Sequence, residues 1–102
     1  AQDAPPPPAK GPELDAAIRK QIEYYFSDEN YPRDRYLRGQ ADADGWVDIS
    51  VILAFRRLKT LQVHQADEVL LALQGSTSVV LSNDTNSVRR RHPLPGGGFG
   101  GR

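Results

Sequence analysis

A chain of 102 residues has room for one domain, and with 13 basic against 13 acidic residues its formal charge is zero. That balance argues against a broad surface tracking duplex phosphates, which calls for a strong positive excess, but not against a small pocket for a single strand. The chain has no cysteine, which excludes disulfides and thiolate metal sites and fits a reducing compartment, and no apolar run approaches the length that crosses a bilayer.

The elements follow in chain order. Residues 1–12, "AQDAPPPPAKGP", read as a flexible proline-rich segment, since a run of prolines favours extended geometry over packing. The core is expected over 13–92. It opens with a helix, "PELDAAIRKQIEYYFS", in which Leu14, Ile18, Ile22 and Phe26 recur every four residues. Pro12 suits the first turn, and Glu13 and Asp15 favour the positive end of the helix dipole. "DENYP" breaks that helix, because the residue before Pro32 is pushed out of helical geometry. "RDRYLRG" predicts a short helical turn that Gly39 can close. A turn at Asp44-Gly45 leads to a brief strand from Trp46 to Ile49, and Ser50 can cap a helix over "VILAFRRLKTL". "QADEVLLALQG" is a further helix ended by Gly75. Val79 to Leu81 and Ser87 to Arg90 flank an "NDTN" turn, a hairpin signature. Residues 93–102 read as a flexible glycine-rich tail. Several short helices, a small strand and a C-terminal hairpin give an α+β class, a winged-helix variant whose hairpin is the wing. That ribbon must pack on the helices to be stable.

One stretch stands out. "QIEYYFSDENYPRDRY", residues 21–36, holds every tyrosine of the chain. On a helix Gln21, Tyr24 and Tyr25 share one face, next to the apolar stripe of Ile18, Ile22 and Phe26. Asp34 and Tyr36 follow the break, and Phe55 sits in the fourth segment. If they converge, they line a cleft with aromatic walls, one amide and one carboxylate. Rings stack on bases at roughly 1–3 kcal/mol each, and an amide pairs with a base edge. A carboxylate has only acceptors: it repels phosphate and welcomes paired hydroxyls such as those of a terminal ribose.

Each residue also has a plainer reading. Phe26 and Trp46 fit packing roles, and Asp34 could simply cap a helix or pair with Arg33 or Arg38. Arg33, Arg56 and Arg57 are candidate phosphate contacts. The run Arg89 to Arg91 is either a phosphate-attracting face or an ordinary solvated one. His64 and His92 lack metal-ligand spacing, so no metal or other cofactor is expected. No nucleophile–base pair and no phosphate-cradling glycine loop is present, which argues against an enzyme.

"QIEYYFSDENYPRDRYL", with "DGWVDISVILAFRRLKTL" and the closing "VRRR", resembles the La motif of La and the La-related proteins. The resemblance implies a winged-helix variant binding the 3′ end of single-stranded RNA in a cleft beside the wing. It implies Gln21, Tyr24, Tyr25, Asp34, Tyr36 and Phe55 as the binding residues, with Asp34 on the terminal ribose and Gln21 on the penultimate base. Tyr36 stands where the family often has phenylalanine, and Tyr31 where an aliphatic residue is common. "QVHQAD" replaces a threonine-rich lead-in, which leaves the cap of the next helix open. "DADG" resembles a branch whose La motif stands alone and is associated with poly(A) tails and cytoplasmic mRNA. "QIEYYFSDEN" and "SVVL" also resemble a branch that binds structured RNA. The resemblance thus implies a monomeric module for oligo(A) 3′ ends that affects mRNA stability or translation. Its setting would be cytoplasmic, with a nuclear one open, and poly(A)-associated proteins would be partners through regions outside this segment. The alternatives are oligo(U) or structured RNA, or a winged helix for duplex DNA or a protein.

Overall fold

The computed structural model describes residues 12–99; the proline-rich segment expected over 1–12 lies outside them apart from Pro12. Helix α1 runs Pro12–Tyr25, and its stripe of Leu14, Ile18, Ile22 and the following Phe26 is buried. Full burial of such side chains contributes roughly 1.5–3 kcal/mol each. The helix stops two residues short of the expected Ser27. The Ser27 hydroxyl donates to the Tyr24 carbonyl at 2.7 Å, satisfying an end group that continued helix would otherwise use.

The expected turn over 33–39 resolves into two pieces. Tyr31–Arg33 form a 3-10 turn, and α2 spans Arg35–Gln40. Gly39 lies inside α2, which closes at Ala41. Asp34 is the junction: its Oδ1 accepts from the Leu37 amide at 3.0 Å, an N-cap bond. Tyr31 is buried, its ring stacked on Phe26 at 5.7 Å.

Asp42 organises the next turn, its Oδ1 accepting from the Asp44 and Trp46 amides, and Gly45 sits there at φ +91°. Strand β1 is the pair Val47–Asp48. Asp48, rather than the expected Ser50, caps the helix that follows, accepting from the Ser50 amide at 2.8 Å. The single helix expected over 51–61 is broken into α3, Ile49–Leu53, and α4, Arg56–Thr60, with Phe55 extended at ψ 142° between them. The reason is packing. Ile52 and Leu58 are both fully buried, and a continuous helix would turn them about 120° apart.

Helix α5 spans Ala66–Ala72. The cap left open by "QVHQAD" is supplied by Glu68, whose carboxylate accepts from the His64 and Gln65 amides. The helix is capped at Leu73, two residues before the expected Gly75, which sits at φ +80° in the turn toward the sheet. Strands β2, Val79–Leu81, and β3, Ser87–Arg90, form the hairpin, and β1 pairs with β3 through Val47 and Val88, giving an antiparallel sheet in the order β1-β3-β2. The architecture is the expected α+β winged-helix variant, with five α-helices and a three-stranded sheet among the described residues.

The three arginines of the wing are not a free cationic face. Arg90 alternates inward with Val88; its guanidinium donates to the Phe26 carbonyl and to Asp28 at 2.6 Å each, and to the His92 carbonyl. Arg91 donates to the Ser76 carbonyl. The Arg89 guanidinium lies 4.7 Å from the Trp46 ring centre and 4.4 Å from that of Phe99. Where a flexible tail was expected from residue 93, the chain as far as Phe99 folds back. Leu94 packs on the core, and a Cβ at Gly45 would stand 2.5 Å from the Phe99 Cβ, so glycine is what lets the ring approach.

Candidate functional site

Helix α1 carries two adjacent faces. Beside its buried stripe, Gln21 is half-buried, Tyr24 is 50% exposed and Tyr25 only 8% exposed. Tyr25 therefore belongs to the edge of the core, and its partner is Phe55: the rings meet edge to face at 4.7 Å and 76°. The break between α3 and α4 delivers Phe55 to that position. On its other side Phe55 meets Tyr36 of α2 at 5.9 Å, and Tyr36 is 60% exposed. Three rings thus form a series from buried Tyr25 through half-buried Phe55 to open Tyr36. An exposed ring backed by another ring is a ready stacking surface.

Polar groups converge at the inner end of this series. Burial pushes the Tyr25 hydroxyl up to about 12; the Arg57 charge and the Gln21 side chain oppose the rise, and the Asp34 charge adds to it. Gln21, Asp34 and Arg57 therefore all bear on the same hydroxyl. None makes a hydrogen bond of good geometry with it, so a buried hydroxyl stands unpartnered among the described residues. Such a group costs roughly 1–3 kcal/mol.

Asp34 does two things. One oxygen caps α2, and the other accepts from the Asn30 side-chain amide at 3.2 Å, which also donates to the Tyr25 carbonyl at 2.9 Å. The plain reading of Asp34 as a cap is correct, and it leaves the second role open. A carboxylate offers about four acceptor positions, so two remain for a pair of hydroxyls. The cap fixes where they point.

Tyr24 does not join the ring series. It lines a groove of about 770 Å³ between α1 and α4, with Lys20, Gln21, Arg56 and Arg57. Gln21 and Arg57 are common to the groove and to the surroundings of Tyr25. Arg33 is exposed on the turn leading to Asp34. Of the expected residues, then, Gln21, Tyr25, Asp34, Tyr36 and Phe55 gather, Tyr24 with Arg56 and Arg57 occupies the neighbouring groove, and Arg33 stands at the rim. Sequence reasoning missed Asn30, which braces Asp34, and Lys20, which shares the groove; Lys20 lies four residues before Tyr24, a spacing that could have shown it. Phe26 is core, as its spacing indicated. His64 and His92 are exposed, and the described residues contain no group of three metal-ligating side chains.

The La domain family model matches residues 18–75. The chain is 41% identical over 85 residues to La-related protein 6A of Arabidopsis thaliana, covering 81% of this chain and 20% of that protein. It is 42% identical over 85 residues to the La protein homolog of Drosophila melanogaster, covering 78% and 22%. The chain thus spans about a fifth of the length of these curated relatives. Among solved structures, the La autoantigen N-terminal domain matches with a TM-score of 0.79 at 39% identity, over 83% of this chain and 94% of that one. The La motif of the Dictyostelium discoideum La protein matches with a TM-score of 0.64 at 43% identity, over 79% and 90%.

Proposed function

The chain belongs to the La family, whose La motif is an RNA-binding fold rather than an enzymatic one, and from that premise we propose that it grips the free 3′-hydroxyl end of single-stranded RNA. The observation that carries this reading is the ring series Tyr25–Phe55–Tyr36 with the Asp34 carboxylate bearing on its inner end at the Tyr25 hydroxyl: an open stacking ring on the same site as a carboxylate with acceptor positions to spare. Tyr36 takes the terminal base on its open face. Asp34 accepts from the 2′ and 3′ hydroxyls of the last ribose and excludes a 3′ phosphate by charge. Gln21 meets the penultimate base edge, and Tyr25 and Phe55 form the wall behind. Arg33, Arg56 and Arg57 are placed to meet phosphates. The "DADG" turn supports oligo(A) over oligo(U). A module of this kind, working as a monomer on cytoplasmic mRNA, shields the 3′ end and so influences mRNA stability or translation. Poly(A)-associated proteins would engage other regions of a longer protein.

The test compares oligo(A) bearing a 3′ hydroxyl with the same strand bearing a 3′ phosphate. Hydrogen bonds to a charged group contribute about 1.5–3 kcal/mol, so the hydroxyl strand should bind roughly 10- to 150-fold more tightly. Equal affinities would remove Asp34 from its role. Oligo(U) binding as tightly as oligo(A) would leave the terminal-ribose reading standing and overturn the base preference.

A further inference from the structure

We propose that the outer edge of strand β2 is a docking site for a protein segment in extended form, three apolar residues followed by an acidic one, which adds to the sheet as a fourth strand. The site shares no residue with the ring series or with the groove between α1 and α4, and it does not rest on the RNA reading.

The bonding pattern of the hairpin leaves this edge open. The Ser82 amide donates to the Ser87 carbonyl and the Arg91 amide to the Ser78 carbonyl, both at 2.9 Å. In an antiparallel ladder such bonded pairs alternate with unbonded ones, so Val80 directs both its backbone groups at Arg89. Val79 and Leu81 point theirs the other way. The Val79 amide meets only the Ser76 hydroxyl, at 3.4 Å. The Leu81 amide and the carbonyls of Val79 and Leu81 have no partner among the described residues. Such a row is a template for another strand.

The two edges of the sheet are unlike. Strand β1 is two residues long and ends in Asp48, which caps α3, so it offers little to pair with. Strand β2 carries none of the devices that blunt an edge: residues 77–83, "TSVVLSN", hold no charge, proline or glycine. A groove of about 750 Å³ lies between it and the end of α5, with Leu73, Val79, Val80 and Leu81 among its walls.

These walls select the occupant. Unpaired amides and carbonyls at strand spacing match another peptide backbone. Leu81 presents both its groups outward, as one half of a closely spaced antiparallel pair. Side chains alternate, so an added strand meets Val79 and Leu81 on one side and Val80 on the other, and the residues opposite all three are apolar. One step further, opposite Ser78, the requirement changes. The Arg91 guanidinium reaches that end of the edge and donates to the Ser76 carbonyl at 3.0 Å. Exposed His92 also lines the groove, and no acidic side chain does. The Glu23 carboxylate, which accepts from the Ser76 hydroxyl at 2.6 Å, lines a separate hollow. Arg91 has no ion-pair partner among the described residues, so a carboxylate on the incoming strand complements it.

The probe is a terminally blocked peptide, Thr-Val-Ile-Val-Glu-Thr, titrated to about 1 mM into the full, isotope-labelled chain and read on the amide resonances. Val79 to Leu81 should shift, and Tyr24 and Tyr36 should not. At nine-tenths occupancy the Leu81 amide should exchange with solvent about tenfold more slowly, since only the empty fraction exchanges. N-methylation of either valine of the peptide, whose amides face Leu81 and Val79, should weaken binding by about 2- to 13-fold, the worth of one hydrogen bond. N-methylation of its isoleucine, whose amide points away, should leave binding unchanged. Lysine in place of the peptide's glutamate should cost about 1.4- to 5-fold, and Arg91→Glu should reverse that preference. Leu81→Pro removes the outward amide without touching the bonds that Val80 makes; it should weaken the peptide by about 2- to 13-fold and leave oligo(A) affinity as it was. A thermal melt checks that both variants fold, and the methylated peptides test the register on the unmutated chain. No shift at about 1 mM, or equal binding by all three methylated peptides, would overturn the proposal. Protection of the Leu81 amide by oligo(A) would give the edge to RNA, and its protection in a chain that dimerises without peptide would give it to a second copy; either result overturns it as well.

Discussion

Asp34 is both a helix cap and the proposed ribose ligand, and two substitutions separate the roles. Asp34→Ala removes the acceptor of the Leu37 amide bond, 3.0 Å in the structure, and should cost about 1 kcal/mol of stability. In a domain of this size that lowers the melting temperature by about 4–8 °C. Asp34→Asn keeps an oxygen for the Leu37 amide, and asparagine caps helices about as well as aspartate. It loses the contact with the Asn30 amide, but that amide retains its bond to the Tyr25 carbonyl, so the loss should stay below about 1 kcal/mol. The asparagine variant should thus melt close to the unmutated chain. Its RNA binding should nonetheless fall by about 10- to 150-fold, with the hydroxyl-over-phosphate ratio moving toward unity, because the charge that strengthens the ribose bonds and repels phosphate is gone. Calorimetric melts and anisotropy titrations with the two strand ends read the two effects separately. An asparagine variant that keeps the full preference for a 3′ hydroxyl would refute the ribose assignment and leave Asp34 as a cap alone. One that melts as low as the alanine variant would refute the capping argument.

Three further outcomes follow from the same structure. Tyr25 and Tyr31 are both raised by burial above the ordinary tyrosine value of 10.0, Tyr25 to about 12, so their neutral forms favour the folded state. That contribution is complete below about pH 10 and is lost as pH climbs toward 12; denaturant midpoints should fall across this window, and less steeply in Tyr25→Phe. Arg90→Leu strips the Phe26 carbonyl of its buried 2.6 Å donor and unpins β3 from the end of α1. A loss of about 1–3 kcal/mol in a urea melt is expected, and an unchanged midpoint would contradict the pin. Gly45→Ala sets a Cβ against Phe99 at a positive φ; it should destabilise the domain and shift the emission of Trp46, the sole tryptophan. Adding Phe99→Gly, which removes the Cβ that is met at 2.5 Å, should recover part of the loss, leaving the backbone strain, and full additivity of the two changes would show that they do not touch.

The helices were legible wherever a local pattern decided them. The four-residue spacing of Leu14, Ile18 and Ile22 marks α1 and its buried side. "NDTN" between Val79–Leu81 and Ser87–Arg90 marks the wing, and Gly75 marks the turn that follows the fifth helix. The break at Phe55 was not legible, because "VILAFRRLKTL" carries no helix breaker. Only the demand that Ile52 and Leu58 enter one core bends the chain there. The fate of "RRR" was equally hidden: three like charges in sequence cannot announce that the middle one answers a carbonyl 64 residues away.

The same division runs through the site. Sequence by itself determined the family and the chemical inventory: rings, an amide, a carboxylate and cations drawn from residues 21 to 57. Their kinds and local spacing are properties of short segments, and short segments are what a sequence displays. Tertiary structure alone decided the arrangement. It set Tyr25 against Phe55 and Phe55 against Tyr36, drew Tyr24 aside into a cationic groove, and fixed Asp34 in place by making it a cap. Those are distances between segments, settled by how five helices share one core, and no local pattern encodes them.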